Sequence, residues 1–326
     1  MTLQRLWRRF THQPEPWASP HEPVRAQDLT GPPLAVVVIA YKMHQQIGRT
    51  LTSMLPPYQR GIATDEYEIH LIDNGSPAPL EEDLWNRAAN VKYHYVSPGD
   101  APVNPGVAIN RAVRNTSSPL LCVHIDGARM LTPGVLRWGI DLASCGSKSI
   151  VDVRSWHLGH KSQNDSLIEG YSPEVEHQLL SSIRWPNEGY RLFDIGFPSH
   201  PTRSPFLKCV FESNCLFIPR MLFDQIGGFD ERYSHPGGGL AGVDFFHRAV
   251  ASAGQVFTLL GEGTFHQTHG GAASGLDRKS LGDRLAIWRD EYETLSRPWS
   301  DRHKYETVLA GHVPAPARRW LERSGG

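Results

Sequence analysis

Apolar residues in this chain gather in short unbroken runs separated by polar and glycine-rich turns. Leu34-Ala-Val-Val-Val-Ile-Ala40 is continuous and rich in β-branched side chains, the pattern of a strand covered on both faces. Residues 46–55 place Ile47, Leu51 and Leu55 on one helical face and stop at Pro56 and Pro57. A second strand over 68–73 ends in the turn-forming Asn74-Gly75-Ser76. Residues 79–88 open with proline and three acids, which suit a helix N-terminus. A third strand at 91–96, a helix at 106–115 and a fourth strand at 120–125 follow. Thr132-Pro133 then predicts the cap of a helix reaching about Ser144.

Strand and helix thus alternate four times, the order of an α/β fold with a mainly parallel central sheet and crossover helices on both faces. Ligands of such sheets bind at the carboxyl ends of the strands. Before this unit, residues 11–33 carry Pro14, Pro16, Pro20, Pro23, Pro32 and Pro33 and read as a linker. After it, residues 157–206 read as long loops with one helix near 173–183. A strand at 215–219, helices at 220–226 and 243–253 and a strand at 256–260 complete the pattern. The division expected is an extension over 1–33, one domain over 34–271 and a helical tail over 272–326.

Charge and cysteine content narrow the partners. With 33 Lys+Arg against 34 Asp+Glu there is no bias toward nucleic acid, so anion binding must be local. Cys122, Cys145, Cys209 and Cys215 form no CxxC pair, which fits a reducing compartment and a cytoplasmic location. Leu3, Leu6, Trp7 and Phe10 alternate with Arg5, Arg8 and Arg9, a spacing that allows weak peripheral contact with the inner membrane face. A short helix packing on its own domain is the favoured reading.

Four polar clusters fall at predicted strand ends or a helix start. Asp73-Asn74 and Asp126-Gly127-Ala128-Arg129 each follow a strand, where ordinary Asx or Asp-Gly turns also account for them. His266 and His269, three apart among glycines, present imidazoles that can approach a cation. His157 and His160 share that spacing in the loop-rich region and are given no metal role. Glycines over 237–242 lead to Asp244 at a helix start, either a dipole-complementing carboxylate or a general base.

In this order the segments resemble family two of the glycosyltransferases, from about Leu34 to Gly271. The resemblance implies a GT-A fold and in-line, inverting transfer of a sugar from a nucleotide-sugar donor (UDP-, GDP- or dTDP-) to a carbohydrate or other hydroxyl acceptor. Val36-Val-Val-Ile-Ala40-Tyr41 looks like the opening strand and nucleotide-touching turn, and Asp73 and Asn74 like the base- and ribose-binding segment. The stretch from Asn104 through Gly106 to Asn110 resembles a further donor-binding segment, with Ile109 where arginine is usual. Asp126 falls at the first position of the DxD motif, Gly227-Gly-Phe-Asp-Glu231 looks like a family loop, and Asp244 matches the catalytic base. Ala128 departs from the motif, because alanine offers no oxygen to a cation. Either a divalent ion, Mn2+ or Mg2+, sits on Asp126 with His266 or His269, which is the favoured expectation, or no metal is used and basic groups such as Arg129 offset the phosphate charge. A metal-dependent hydrolase and a non-catalytic nucleotide-binding protein are the rival readings.

Overall fold

The computed structural model describes residues 25–199, 207–270, 276, 278–297, 299 and 304–322. The basic amphipathic segment around Trp7 and Phe10, and Gly271, lie outside the described residues. β1 (Leu34–Ala40) is buried along its whole length. Its alternate residues feed two apolar clusters: Leu34, Val36 and Val38 one, Ala35, Val37 and Ile39 the other. A strand that serves two faces cannot alternate polar with apolar, which is why the sequence run is unbroken. Each Leu, Val or Ile among them contributes about 1.5–3 kcal/mol on burial.

β2 (Tyr67–Asn74), β3 (Val91–Val96) and β4 (Leu120–His124) join β1 in parallel register, Ala40 facing Asp73 and Val38 facing His124. β5 (Arg129–Leu131), β6 (Ser149–Asp152), β7 (Ser155–Leu158) and β8 (Gly196–Pro198) are short. β9 (Cys215–Pro219), β10 (Gln255–Leu260), β11 (Thr264–His266) and β12 (Val308–Gly311) follow. The large sheet has the order β12-β10-β6-β9-β4-β1-β2-β3, and β9 runs antiparallel to both its neighbours. Helices His44–Met54 and Val135–Ala143 pack on one face, and Pro105–Arg114, Arg220–Gln225 and Ala241–Ser252 on the other. The result is the expected α/β fold on a mainly parallel sheet.

A second sheet, β5-β11-β7-β8, departs from the expectation of loops after residue 157. Its core is aromatic: Trp156 stacks on Phe265 at 5.5 Å and meets Phe193 edge-on at 5.0 Å. Among the described residues of that region lie the helices Gln163–Ile168, Pro173–Ser182 and Leu192–Ile195.

Three local expectations are corrected. The helix predicted over 79–88 is the single turn Glu82–Trp85, because Leu84 and Trp85 are only partly buried and a short helix depends on tertiary burial. Thr132 caps no helix: its hydroxyl bonds Glu262, and Val135–Ala143 starts after Gly134. The tail, expected to be helical, contains Arg278–Leu295 but also β12, which pairs in parallel with β10. Among the described residues no helix is long and apolar enough to cross a membrane.

Candidate active site at the carboxyl ends of the strands

Asp126 lies two residues beyond β4, in a turn pinned from both sides. Ile125 N–H donates to Asn214 O at 2.9 Å and Gly127 N–H to Ile39 O at 2.7 Å. A Cβ on Gly127 would stand 2.8 Å from that of Ala40, so only glycine lets the turn sit against the end of β1. Asp126 Oδ1 accepts from Ala128 N–H at 2.9 Å, leaving Oδ2 directed at two imidazoles. His266 Nε2 is 2.8 Å from Oδ2 and His269 Nε2 is 3.6 Å away, while the two Nε2 atoms are 2.8 Å apart.

Ala128 is fully buried in the apolar cluster beneath the sheet end, where a second carboxylate would be desolvated. The nearest further donors come from β11 and the residues after it, His266 and His269. Burial alone would raise the Asp126 carboxyl, but the His266 and His269 imidazoles and the Arg129 guanidinium more than reverse this and hold it well below the usual carboxylate range. Burial lowers His266 to about 4, against the pull of Asp126, so its imidazole is neutral at pH 7. One carboxylate and two imidazole nitrogens with converging lone pairs form a donor set that fits a divalent ion of intermediate hardness.

The cluster is stapled to the helix after β1. Thr50 Oγ1 donates to Gly127 O at 2.7 Å, and Gln267 Nε2 donates to Thr50 Oγ1 at 3.1 Å and Gln46 O at 3.2 Å. Gln46 Nε2 donates to Thr268 O at 2.6 Å. Glu176, which sequence reasoning missed, accepts Thr268 N–H at 2.6 Å and pairs with Arg49 at 2.8 Å. Burial pushes its carboxyl up to about 7. No spacing pattern in the sequence marks Gln46, Glu176 or Gln267, since each acts on a residue distant in the chain. His157, set aside in the sequence, lies on β7 opposite His266 with ring centroids 5.7 Å apart, outside the three-residue cluster.

The remaining predicted residues divide into two groups. Ala40 is buried at the end of β1, and Tyr41 beside it is 48% exposed. Asp73 lies two strands from β4, about 10 Å across the ladder. Its oxygens accept Ser76 N–H at 3.3 Å and Tyr93 O–H at 3.0 Å, and burial pushes its carboxyl up. Asn74 donates to Pro102 O at 3.0 Å, and its Oδ1 is buried without a protein partner among the described residues.

Gly106 and Asn110 face inward instead. Asn110 Nδ2 donates to Phe229 O and Glu231 Oε1, both at 2.9 Å, and its Oδ1 accepts Phe229 N–H at 2.9 Å. A Cβ on Gly106 would meet that of Phe229 at 2.7 Å. These two residues fix the loop over 227–231.

Asp244 is buried in the first turn of Ala241–Ser252. One oxygen accepts Arg248 Nε–H at 2.7 Å and the other Ser296 O–H at 2.6 Å. A Cβ on Gly242 would lie 3.5 Å from Ile125 Cδ1, which places this helix start beside the strand end that carries Asp126. Gly237, Gly238 and Gly239 all have positive φ, and Gly238 packs against Asn104 and Pro105.

No protein-family model and no curated protein matches the chain. Among solved structures it is similar to S. aureus TarS 1-349 in complex with UDP-GlcNAc, at TM-score 0.49 and 12% identity, over 81% of this chain and 73% of that one. It is also similar to the mannosyltransferase PcManGT from Pyrobaculum calidifontis in complex with GDP-Man and Mn2+, at TM-score 0.49 and 12% identity, over 99% of this chain and 76% of that one. Likenesses this distant assign no activity, which is left to the site's own residues.

Proposed function

We propose that this chain is a glycosyltransferase that moves a sugar from a nucleotide-sugar donor to an acceptor hydroxyl, with inversion and with a divalent ion held by Asp126, His266 and His269. The convergence of a carboxylate and two imidazoles at the carboxyl end of β4 carries this reading. It is the place where a parallel α/β sheet binds its ligand.

The nucleoside would lie over Ala40, Tyr41, Asp73 and Asn74, with the diphosphate toward Asp126. Gly106 and Asn110 would act from behind, by fixing the 227–231 loop beside the donor. Residues 34–271 would form the transferase unit, with β12 closing its sheet edge. A bound Mn2+ or Mg2+ would supply Lewis-acid stabilisation of the departing nucleoside diphosphate.

Asp244 would take the proton from the acceptor hydroxyl. The acceptor oxygen then bonds to the anomeric carbon as the carbon–oxygen bond to phosphate breaks, which inverts that centre. Arg248 anchors one oxygen of the carboxylate, and the Ser296 hydroxyl has to yield its hydrogen bond before the acceptor can reach Asp244.

The test is a donor screen with UDP-GlcNAc and GDP-Man, followed by release of nucleoside diphosphate with and without EDTA. Donor-dependent release that stops with EDTA supports the reading. Absence of release from every UDP-, GDP- and dTDP-sugar tried, with Mn2+ present, would sink it.

A further inference from the structure

Arg129 opens β5, opposite His266 of β11 in the antiparallel ladder. It is 8% exposed, and among the described residues neither its Nε nor its Nη1 has a hydrogen-bond acceptor. Its ion-pair partner is Asp126 Oδ2, 3.4 Å from Nε, the same oxygen that faces His266 and His269. That separation is outside ordinary hydrogen-bond reach. The ladder to β11 needs only the backbone of residue 129, so the fold itself gives no reason for a guanidinium there. A buried guanidinium with donors unmet is costly, and the cost is relieved when an anion arrives to accept from them.

Charge balance points the same way. Asp126 and Arg129 offset one another's charge, so a divalent ion held beside them leaves the cluster positive. The diphosphate of a nucleotide-sugar carries the opposite charge.

We propose that Arg129 is the substrate-anion receptor of this site, its unpartnered N–H groups binding a pair of anionic oxygens beside the ion on Asp126. The inference rests on the nucleotide-sugar reading, and the oxygens belong either to the diphosphate or to a carboxylate on the transferred sugar. Arginine suits this task because its planar fork binds either group in bidentate fashion.

The experiment uses the full chain with Arg129→Met and Arg129→Lys, titrated by calorimetry at saturating Mn2+ with pyrophosphate, UDP, UDP-glucose and UDP-glucuronate. Arg129→Met is expected to weaken pyrophosphate and all three nucleotides about tenfold or more, with Arg129→Lys recovering part of the loss. A loss confined to UDP-glucuronate identifies the anion as the sugar carboxylate. Unchanged affinity for all four probes overturns the proposal and, with UDP bound by the parent, leaves the nucleotide-sugar reading intact. A parent that binds pyrophosphate through Arg129 but not UDP sinks that reading and keeps the receptor. A parent that binds none of the four overturns both. Thermal unfolding of ligand-free Arg129→Met and Arg129→Lys accompanies the titrations, so that a loss of affinity is read only on folded protein.

Discussion

His266 Nε2 lies 2.8 Å from Asp126 Oδ2, and the two residues reach that contact from different sheets. Asp126 follows β4 of the large sheet, and His266 ends β11 of the small one. The Trp156–Phe265 stack holds β11 in place, and Gln267 and Thr50 tie its far end to the Asp126 turn. The site therefore depends on how the two sheets are joined as much as on the ligands themselves.

Asp244→Asn should retain donor binding and lose turnover by about 10²–10⁴-fold, the range general-base catalysis supplies. Asp230→Asn is the control, a second carboxylate in the loop over 227–231 that is likewise paired with an arginine, Arg232. Transfer by Asp244→Asn at the parent rate, measured with saturating donor, would place the base elsewhere.

Gly106→Ala should destabilise the fold by about 1–3 kcal/mol, the usual cost of overpacking a well-filled core. The new methyl would meet Phe229, whose Cβ lies 2.7 Å from the ideal position. Denaturant unfolding measures this directly, and parent-like stability would show that the loop over 227–231 yields freely.

Glu262 is fully buried, and burial pushes its carboxyl up to about 7 despite bonds from the Thr132 and Tyr190 hydroxyls. A raised folded pKa means that the folded state holds the proton more tightly than the unfolded chain does. The associated stability is present below about pH 4.5 and lost as pH rises through about 7, on the order of 3 kcal/mol in all. Glu262→Gln, which stays neutral, should therefore gain on the parent in melting temperature between pH 5 and pH 8. The difference is the readout because His157 and His266, held low by burial, act in the opposite sense. A difference independent of pH would contradict the assignment.

β1, β4, β9 and β10 of the large sheet were legible because each is a mostly apolar run bounded by turn residues. β5, β7, β8 and β11 were not, since three or four residues such as Arg129–Leu131 carry no readable period. In the site, Asp126, His266 and His269 stood out through their neighbours in the chain. Glu176 did not, because its partner Thr268 is set by the docking of helix Pro173–Ser182. Asn110 was read for donor contact, yet all its side-chain atoms are used by Phe229 and Glu231, a pairing the chain order does not announce.

The most direct test of the central claim is calorimetric titration of UDP and GDP with and without Mn2+, on the parent and on His266→Ala. The account predicts that Mn2+ strengthens nucleotide binding to the parent at least tenfold and that His266→Ala abolishes this gain while the folded state persists. Nucleotide affinity that is indifferent to Mn2+, or a gain that survives in His266→Ala, would contradict a metal-assisted nucleotide-sugar site at Asp126.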